Sequence, residues 1–334
     1  MRFVAILLCC GLMLAGCGGP AITLERLEPA KAHEVTQLRR ISVVPLRNDQ
    51  DRVATAAVEN ALSAVRLDQK PYFTLVDTHI QQSALGGKGV ELFFEPGKIG
   101  QYGRKAGADG VLLGTVTQDT WRDERTYEQR SVCIQENDSG SCKKYAVRKT
   151  RCTHRTGTFA FIPKVVNTTS GQIIYSQEFT DAAEETACAG TSSYRLPSGN
   201  SLIAKARDRA IQRFIREIAP HAVRTQVTLL TEDDTAMPEN IKKIIAQGIT
   251  FAETERMDRA CELWSQAAAQ YPEGYALPYL KGVCAEFSGD LEQALAAYTE
   301  ADQRTQAPEP NISAALQRVR LDRANQAELA AQTK

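Results

Sequence analysis

Three short apolar runs, RISVVPLRN at 40–48, YFTLVD at 72–77 and the stretch 111–116 inside GADGVLLGTVT, are bounded by polar or turn-forming residues and read as strands. Between the first two, Val53, Ala57, Ala61, Leu62 and Val65 recur at helical spacing across 51–66. Further helices are expected over 78–85 and 98–106. Strand–helix–strand–helix–strand with short connections is an α/β layout. GTFAFIPKVVN and GQIIYSQEFT then form two extended runs around NTTSG, a hairpin whose turn falls on Asn167, Thr168 and Thr169. A long amphipathic helix over about 200–218 buries Ile203, Ala210, Ile211, Phe214, Ile215 and Ile218, and Pro220 ends it. GGKG at 86–89 is a turn, because a phosphate-cradling loop needs Ser or Thr after the Gly-Lys pair of a longer motif, and here Gly89 and then Val90 follow Lys88.

The pattern changes twice. Residues 119–156 interrupt the α/β alternation with a polar, charged stretch, a hairpin insertion. TEDDTAMPEN at 231–240 is an acidic, polar linker, beyond which Ala, Glu, Gln and Leu dominate. There Gly248 and Gly282 lie 34 residues apart, as do Ala260 and Ala294, Trp264 and Tyr298, and Ala267 and Ala301. With Phe251 and Pro272 also in place, this spacing resembles tetratricopeptide repeats. The resemblance implies paired helices in which Gly and Ala allow close approach while the aromatic fills the gap to the next unit. The second unit departs from the pattern, with Ala285 at the aromatic position and Pro278 in its first turn. Two such units do not close a core, so residues 311–332, capped by Asn311 and striped with Ile312, Leu316, Val319 and Leu321, are expected to form the closing helix. A generic helical hairpin is the plainer alternative.

The amino terminus fixes the compartment. Arg2 precedes an apolar run from Phe3 to Leu14 and then small residues, the layout of a signal peptide over 1–16, too short for a membrane span. Leu14-Ala15-Gly16-Cys17 resembles the lipobox of bacterial lipoproteins, which implies diacylglycerol (and palmitate) on the thiol of Cys17, with 17–38 as a polar leader. Gly18 after the cysteine points to the outer membrane, periplasmic face.

Charge adds little: 40 basic and 40 acidic residues cancel, loss of Arg2 with the signal leaves −1, and nothing suggests nucleic acid. Of nine cysteines, Cys133, Cys142, Cys152, Cys188, Cys261 and Cys284 remain beyond Cys17. An even number in an oxidising compartment suggests disulfides. Cys133 with Cys142 is the shortest loop to close, and Cys152 with Cys188 and Cys261 with Cys284 are plausible by domain; sequence leaves the connectivity open. A zinc site from Cys133, Cys142, Cys152 and His154 is the competing arrangement, without paired C-x-x-C spacing.

ISVVPLRN, FTLVD, GADGVLLGTVT and VVNTTSGQIIYSQEF together resemble the periplasmic α/β domain of the curli-secretion lipoprotein family (CsgG). More loosely they are similar to the amino-terminal domain of TolB and to lipoprotein activators of penicillin-binding proteins. The expected fold is therefore α+β or α/β, a mixed-sheet sandwich over 39–230 followed by an all-α repeat array over 241–334. In the curli family, excursions like 119–156 cross the membrane as hairpins of an oligomeric pore. Here the alternate faces from Trp121 carry Asp123 and Arg125 on one side and Arg122, Glu124 and Glu128 on the other, so neither suits lipid. The return stretch holds Lys143, Lys144, Arg148, Lys149, Arg151 and Arg155 without an acid, suited to anionic headgroups, to an acidic partner, or to a solvated edge.

No catalytic or cofactor motif surrounds His33, His79, His154 or His221, and no cofactor or metal is expected. The sequence points to a non-enzymatic outer-membrane lipoprotein, held in the membrane through lipid on Cys17. It would scaffold an unidentified envelope protein, the concave face of the helical repeats holding a peptide or partner helix. Self-association of the α/β domain is compatible with this. A secretion-channel subunit and an activator of a peptidoglycan-synthesising enzyme are the rival functions.

Overall fold

The computed structural model describes residues 19–67, 69–76, 96–189 and 195–333. Cys17, His79, the helix expected over 78–85 and the GGKG turn lie outside them. The chain divides into two compact units, one of Pro29–His221 with 331–334, the other of the residues up to Glu28 with Ala222–Ala330.

The first unit is a six-stranded mixed sheet with helices on both faces. Its strands are β2 (Arg40–Val43), β5 (Thr74–Leu75), β6 (Gly110–Glu136), β7 (Cys142–Asn167), β8 (Ile173–Ser176) and β9 (Phe179–Cys188). The order is β5-β2-β6-β7-β8, with β9 also on β7; β2 is parallel to β5 and β6, and the other pairs are antiparallel. β3 (Arg66–Leu67) and β4 (Lys70–Pro71) form a separate small ladder. Side chains alternate across a strand, so Leu112 and Val116 face one way, against α1 (Val53–Ala64) and α3 (Gly199–Ile218), while Val111 and Leu113 face α2 (Pro96–Ala106). On the first face Phe161 packs with Phe179 and Phe214 at ring separations of 5.9 Å. α3 begins where expected because the side chain of Ser198 accepts from the Ser201 amide. Thr169 and Ser170 amides donate to Asn167 Oδ1, which makes 167–171 the hairpin turn.

The second unit contains α4 (Glu239–Glu253), α5 (Met257–Gln270), α6 (Ala276–Phe287), α7 (Leu291–Arg304) and α8 (Pro310–Gln332). Pro278 sits in the first turn of α6, where a missing amide costs no helical bond. α8 starts one residue earlier than expected. Its cap is Glu309, whose carboxylate accepts from the Ile312 amide, with Pro310 at the first helical position; Asn311 instead donates to Glu309.

The leader expected over 17–38 is not a spacer throughout. Residues Ala21–Glu28 form β1, paired with β10 (His221–Thr228). Its signal in the sequence is the alternation of Ile22 and Leu24, answered by Val227 and Leu229. All four are buried in one core with the helices α4 to α8.

Candidate functional site

β6 and β7 run far past the rest of the sheet. Residues 119–156, expected as an insertion, are the uninterrupted continuation of both strands, in register from Gly110↔Asn167 out to Glu136↔Cys142 apart from local bulges. β9 accompanies β7 as far as Cys152. Beyond that pair, opposite Thr126, the chain is a two-stranded ribbon, and ten further residues at about 3.3 Å each make it roughly 33 Å long.

An isolated hairpin is marginal in water, and covalent and ionic ties compensate. Cys152–Cys188 links β7 to β9 at the base, and Cys133–Cys142 closes the tip. The tip turn is organised by Asn137, whose Oδ1 accepts from the Ser139 and Ser141 amides, and by Gly140 at φ 78°. Near the base, Arg155 donates to both oxygens of Asp123 at 2.6 and 2.7 Å and to the Pro197 carbonyl at 2.7 Å, with its guanidinium 4.8 Å from the centre of the Trp121 ring. Those bonds hold the Asp123 carboxyl below the usual carboxylate range and raise Arg155. Further out, the Lys149 ammonium lies 4.7 Å from the centre of the Tyr127 ring.

The ribbon is exposed on both faces and carries charge on both, as the sequence indicates. Tyr127, Ile134, Tyr145 and Val147 are nonetheless exposed large apolar side chains, Tyr145 by 63% and Val147 by 68%.

All six candidate cysteines are paired, the third bridge being Cys261–Cys284 between α5 and α6. This removes the zinc alternative, since Cys133, Cys142 and Cys152 hold no free thiol. His154 instead contacts Thr186 Oγ1 at 2.8 Å and Glu184 at 3.5 Å. Glu128, Cys152 and Cys188 also come together, but both sulfurs belong to a disulfide and do not offer thiolates.

In the helical unit the repeat positions meet. A Cβ on Gly248 would fall 2.2 Å from the Trp264 indole, and one on Gly282 would fall 2.5 Å from the Tyr298 ring. Ala260, Ala267, Ala294 and Ala301 are fully buried, Phe251 packs on the same core, and Pro272 lies in the α5–α6 turn, its carbonyl accepting from Arg304. The indole of Trp264 donates to the Ile245 carbonyl. Glu286 accepts from Arg318 and from the Tyr298 hydroxyl at 2.7 Å, a nearly buried charged pair. Burial first, then the Glu286 charge, pushes the Tyr298 phenol up.

The concave face of the repeats is expected to hold a peptide or partner helix. In the structure the chain's own strands pack on these helices. β1 packs on α4, the Tyr279 hydroxyl on α6 donates to the Thr228 carbonyl at 2.7 Å, and Arg26 meets Asp322 on α8 at 3.0 Å. The chain's own β1–β10 pair is therefore part of the core of these helices.

One open cleft, of about 510 Å³, lies at the start of α1 and α3 and is lined by Asp49, Asp51, Asp119, Asn200 and Arg207. Asp49 is occupied in capping α1 through the Ala54 and Thr55 amides. Partial burial, aided by the Asp49 charge and opposed by Arg207, raises the Asp119 carboxyl. No histidine, cysteine or hydroxyl nucleophile is among the residues lining it. Among the described residues no helix is long and apolar enough to cross a membrane.

No family model matches the chain, and no curated protein matches it by sequence. Solved structures give distant likenesses. The PelC dodecamer from Paraburkholderia phytofirmans is 12% identical, covering 60% of this chain and 98% of that one, at a TM-score of 0.27. The LpoB C-terminal domain from Salmonella enterica is 16% identical over 45% and 91%, at 0.26. The lipoprotein GNA1162 from Neisseria meningitidis is 16% identical over 53% and 97%, at 0.28. At such scores neither fold nor function passes from those proteins to this one.

Proposed function

We propose that the chain is a lipid-anchored protein of the bacterial envelope, attached to the outer membrane on its periplasmic face, and that it works as a protein–protein scaffold without catalysis. The observation that carries this reading is the pairing of the cysteines. All six beyond Cys17 are consumed in three disulfides, the state of an oxidising compartment. The thiol of Cys17 is thereby left for the acyl chain that the lipobox implies. Because β1 and β10 already pack on α4, α6 and α8, the partner is expected at apolar side chains those strands leave uncovered, and Phe287 and Leu321 are large apolar side chains about half exposed.

The test has two arms. Metabolic labelling with palmitate should mark the wild-type protein and not Cys17→Ser; an unmarked wild type removes the anchor. Photoreactive residues at 287 and 321, crosslinked in living cells, should each capture the same envelope protein. Capture of nothing from either position removes the scaffold.

A further inference from the structure

We infer that the outer edge of β7, from Tyr145 to Arg151, is a docking site for an acidic segment of a partner protein, bound in extended form as a further strand of the ribbon. β9 covers this edge only as far as Cys152. Its last contact there, among the described residues, is the Ala189 amide donating to the Arg151 carbonyl at 2.9 Å. Arg151 thus turns its backbone toward β9, and successive residues of an antiparallel strand turn theirs to opposite sides. Lys149, Val147 and Tyr145 therefore present both amide and carbonyl to the open edge, while Thr150, Arg148 and Ala146 turn theirs to Glu128, Arg130 and Val132 of β6. Among the described residues nothing else pairs with β7 along 144–150, and Tyr145, Val147 and Lys149 are exposed.

The side chains along this edge select what adds to it. Outward from the base come Arg151, Lys149 and Arg148, the last on the opposite face, with no acid among them, and then Val147 and Tyr145. Farther out the charges balance, Glu136 and Asp138 against Lys143 and Lys144. Arg148 stands opposite Arg130, whose neutralising neighbour is Glu128 at 3.2 Å. Among the described residues neither Arg148 nor Arg151 has a carboxylate partner. Residues 189–197, which follow β9, contain no acid to supply one. A strand that continues the line of β9, antiparallel to β7, would start opposite Thr150. It would then set its second residue against Lys149, its third against Arg148, its fourth against Val147 and its sixth against Tyr145. The fitting order is any residue, acid, acid, apolar, any residue, apolar. Opposed charges and apolar pairs at facing positions stabilise a sheet, and the main-chain bonds of an added strand supply affinity.

The open backbone decides between occupants. Lipid headgroups offer no alternating row of donors and acceptors at strand spacing; an extended peptide does. A second copy of the chain would offer the outer edge of β6, which brings Arg122 and Arg125 toward the same cations and whose Asp123 is already held by Arg155. Charge on an edge by itself deters pairing, but Tyr145 and Val147, apolar and exposed where the backbone is open, do not.

The experiment uses the full mature chain carrying Cys17→Ser and a fluorescein-labelled peptide, Thr-Glu-Glu-Val-Thr-Ile-Thr, followed by anisotropy. Neither an acyl chain nor position 287 or 321 takes part, so failure here leaves the reading above standing. The peptide should bind saturably with a Kd below about 1 mM, and the same peptide with Lys in place of Glu should not. Val147→Pro removes an amide that faces the open edge and spares the ladder to β6; it should abolish binding. Arg148→Gln, Lys149→Gln and Arg151→Gln combined should weaken binding about 10-fold, the effect of losing three opposed charge pairs. Methylating the peptide nitrogens of its second and fourth residues, which would face β7, should prevent binding, and methylating the third and fifth should not. Thermal melts, and non-reducing mass spectrometry of the Cys133–Cys142 bridge, establish that each variant is folded. Overturning results are no binding by the unsubstituted edge, equal binding by Val147→Pro, or equal effects of the two methylation patterns. Self-association, or sedimentation with phosphatidylglycerol vesicles, by a chain that ignores the peptide would also overturn the assignment.

Discussion

Gly248 shows how one residue sets the spacing of two helices. Alanine is the better helix former by about 1 kcal/mol, yet its methyl would enter the Trp264 ring. Overpacking of a filled core costs about 1–3 kcal/mol, so Gly248→Ala should lower stability in a urea melt, and Gly282→Ala should do the same against Tyr298. Glu286 and Arg318 make a second residue-scale case. Their side chains are only 5% and 11% exposed, and removing one partner strands the other charge. Arg318→Met should cost about 3–5 kcal/mol, part of which the double variant with Glu286→Leu should restore. At Asp123 the folded value is depressed, first by hydrogen bonds from Arg155. Its contribution is therefore complete above the unfolded carboxylate value and fades as pH falls through the folded one. An NMR titration should place its midpoint below 3.8, and Arg155→Gln should move it upward.

Elements were legible wherever their apolar pattern answered to a local partner. The helix over 200–218 emerged nearly at its observed limits because it buries one regular face on the sheet, whereas the strand expected over 40–48 has its start in place but ends at Val43, ahead of Pro45. The 34-residue spacing found the positions where Gly meets Trp264 and Tyr298. The ribbon was less legible, because β6 and β7 keep strand geometry through positions that bury nothing, so periodicity vanishes while the ladder continues. Its two disulfides substitute for a core. Replacing Cys152 and Cys188 by Ser should therefore cost about 2–4 kcal/mol and raise amide exchange along 142–151. The Cys133–Cys142 pair, closing a shorter loop, should give the smaller effect. β1 was missed for another reason. Its two inward residues, Ile22 and Leu24, are few, and the strand that completes them lies about 200 residues away.

For the whole molecule, that strand changes what the proposed anchor holds. Four links separate Cys17 from Ala21, at most about 14 Å of extended chain. An acyl group on Cys17 would thus tether the chain through its helical unit, to which β1 belongs. A photoreactive residue at Thr23, which is exposed, should label lipid in native membranes; labelling only of protein there would contradict the tether.

The pairing of β1 with β10 also imposes a timetable. On the proposed route of export, amino terminus first, the first strand would leave the export machinery early, while its partner strand and the helices that bury it would arrive only after the sheet domain had been translocated. Closing a loop of that length is entropically tolerable but slow. Until then Ile22 and Leu24 stay wet and available to holding chaperones. A fragment that begins at residue 231 would never receive them, and it should clump rather than behave as an independent helical domain.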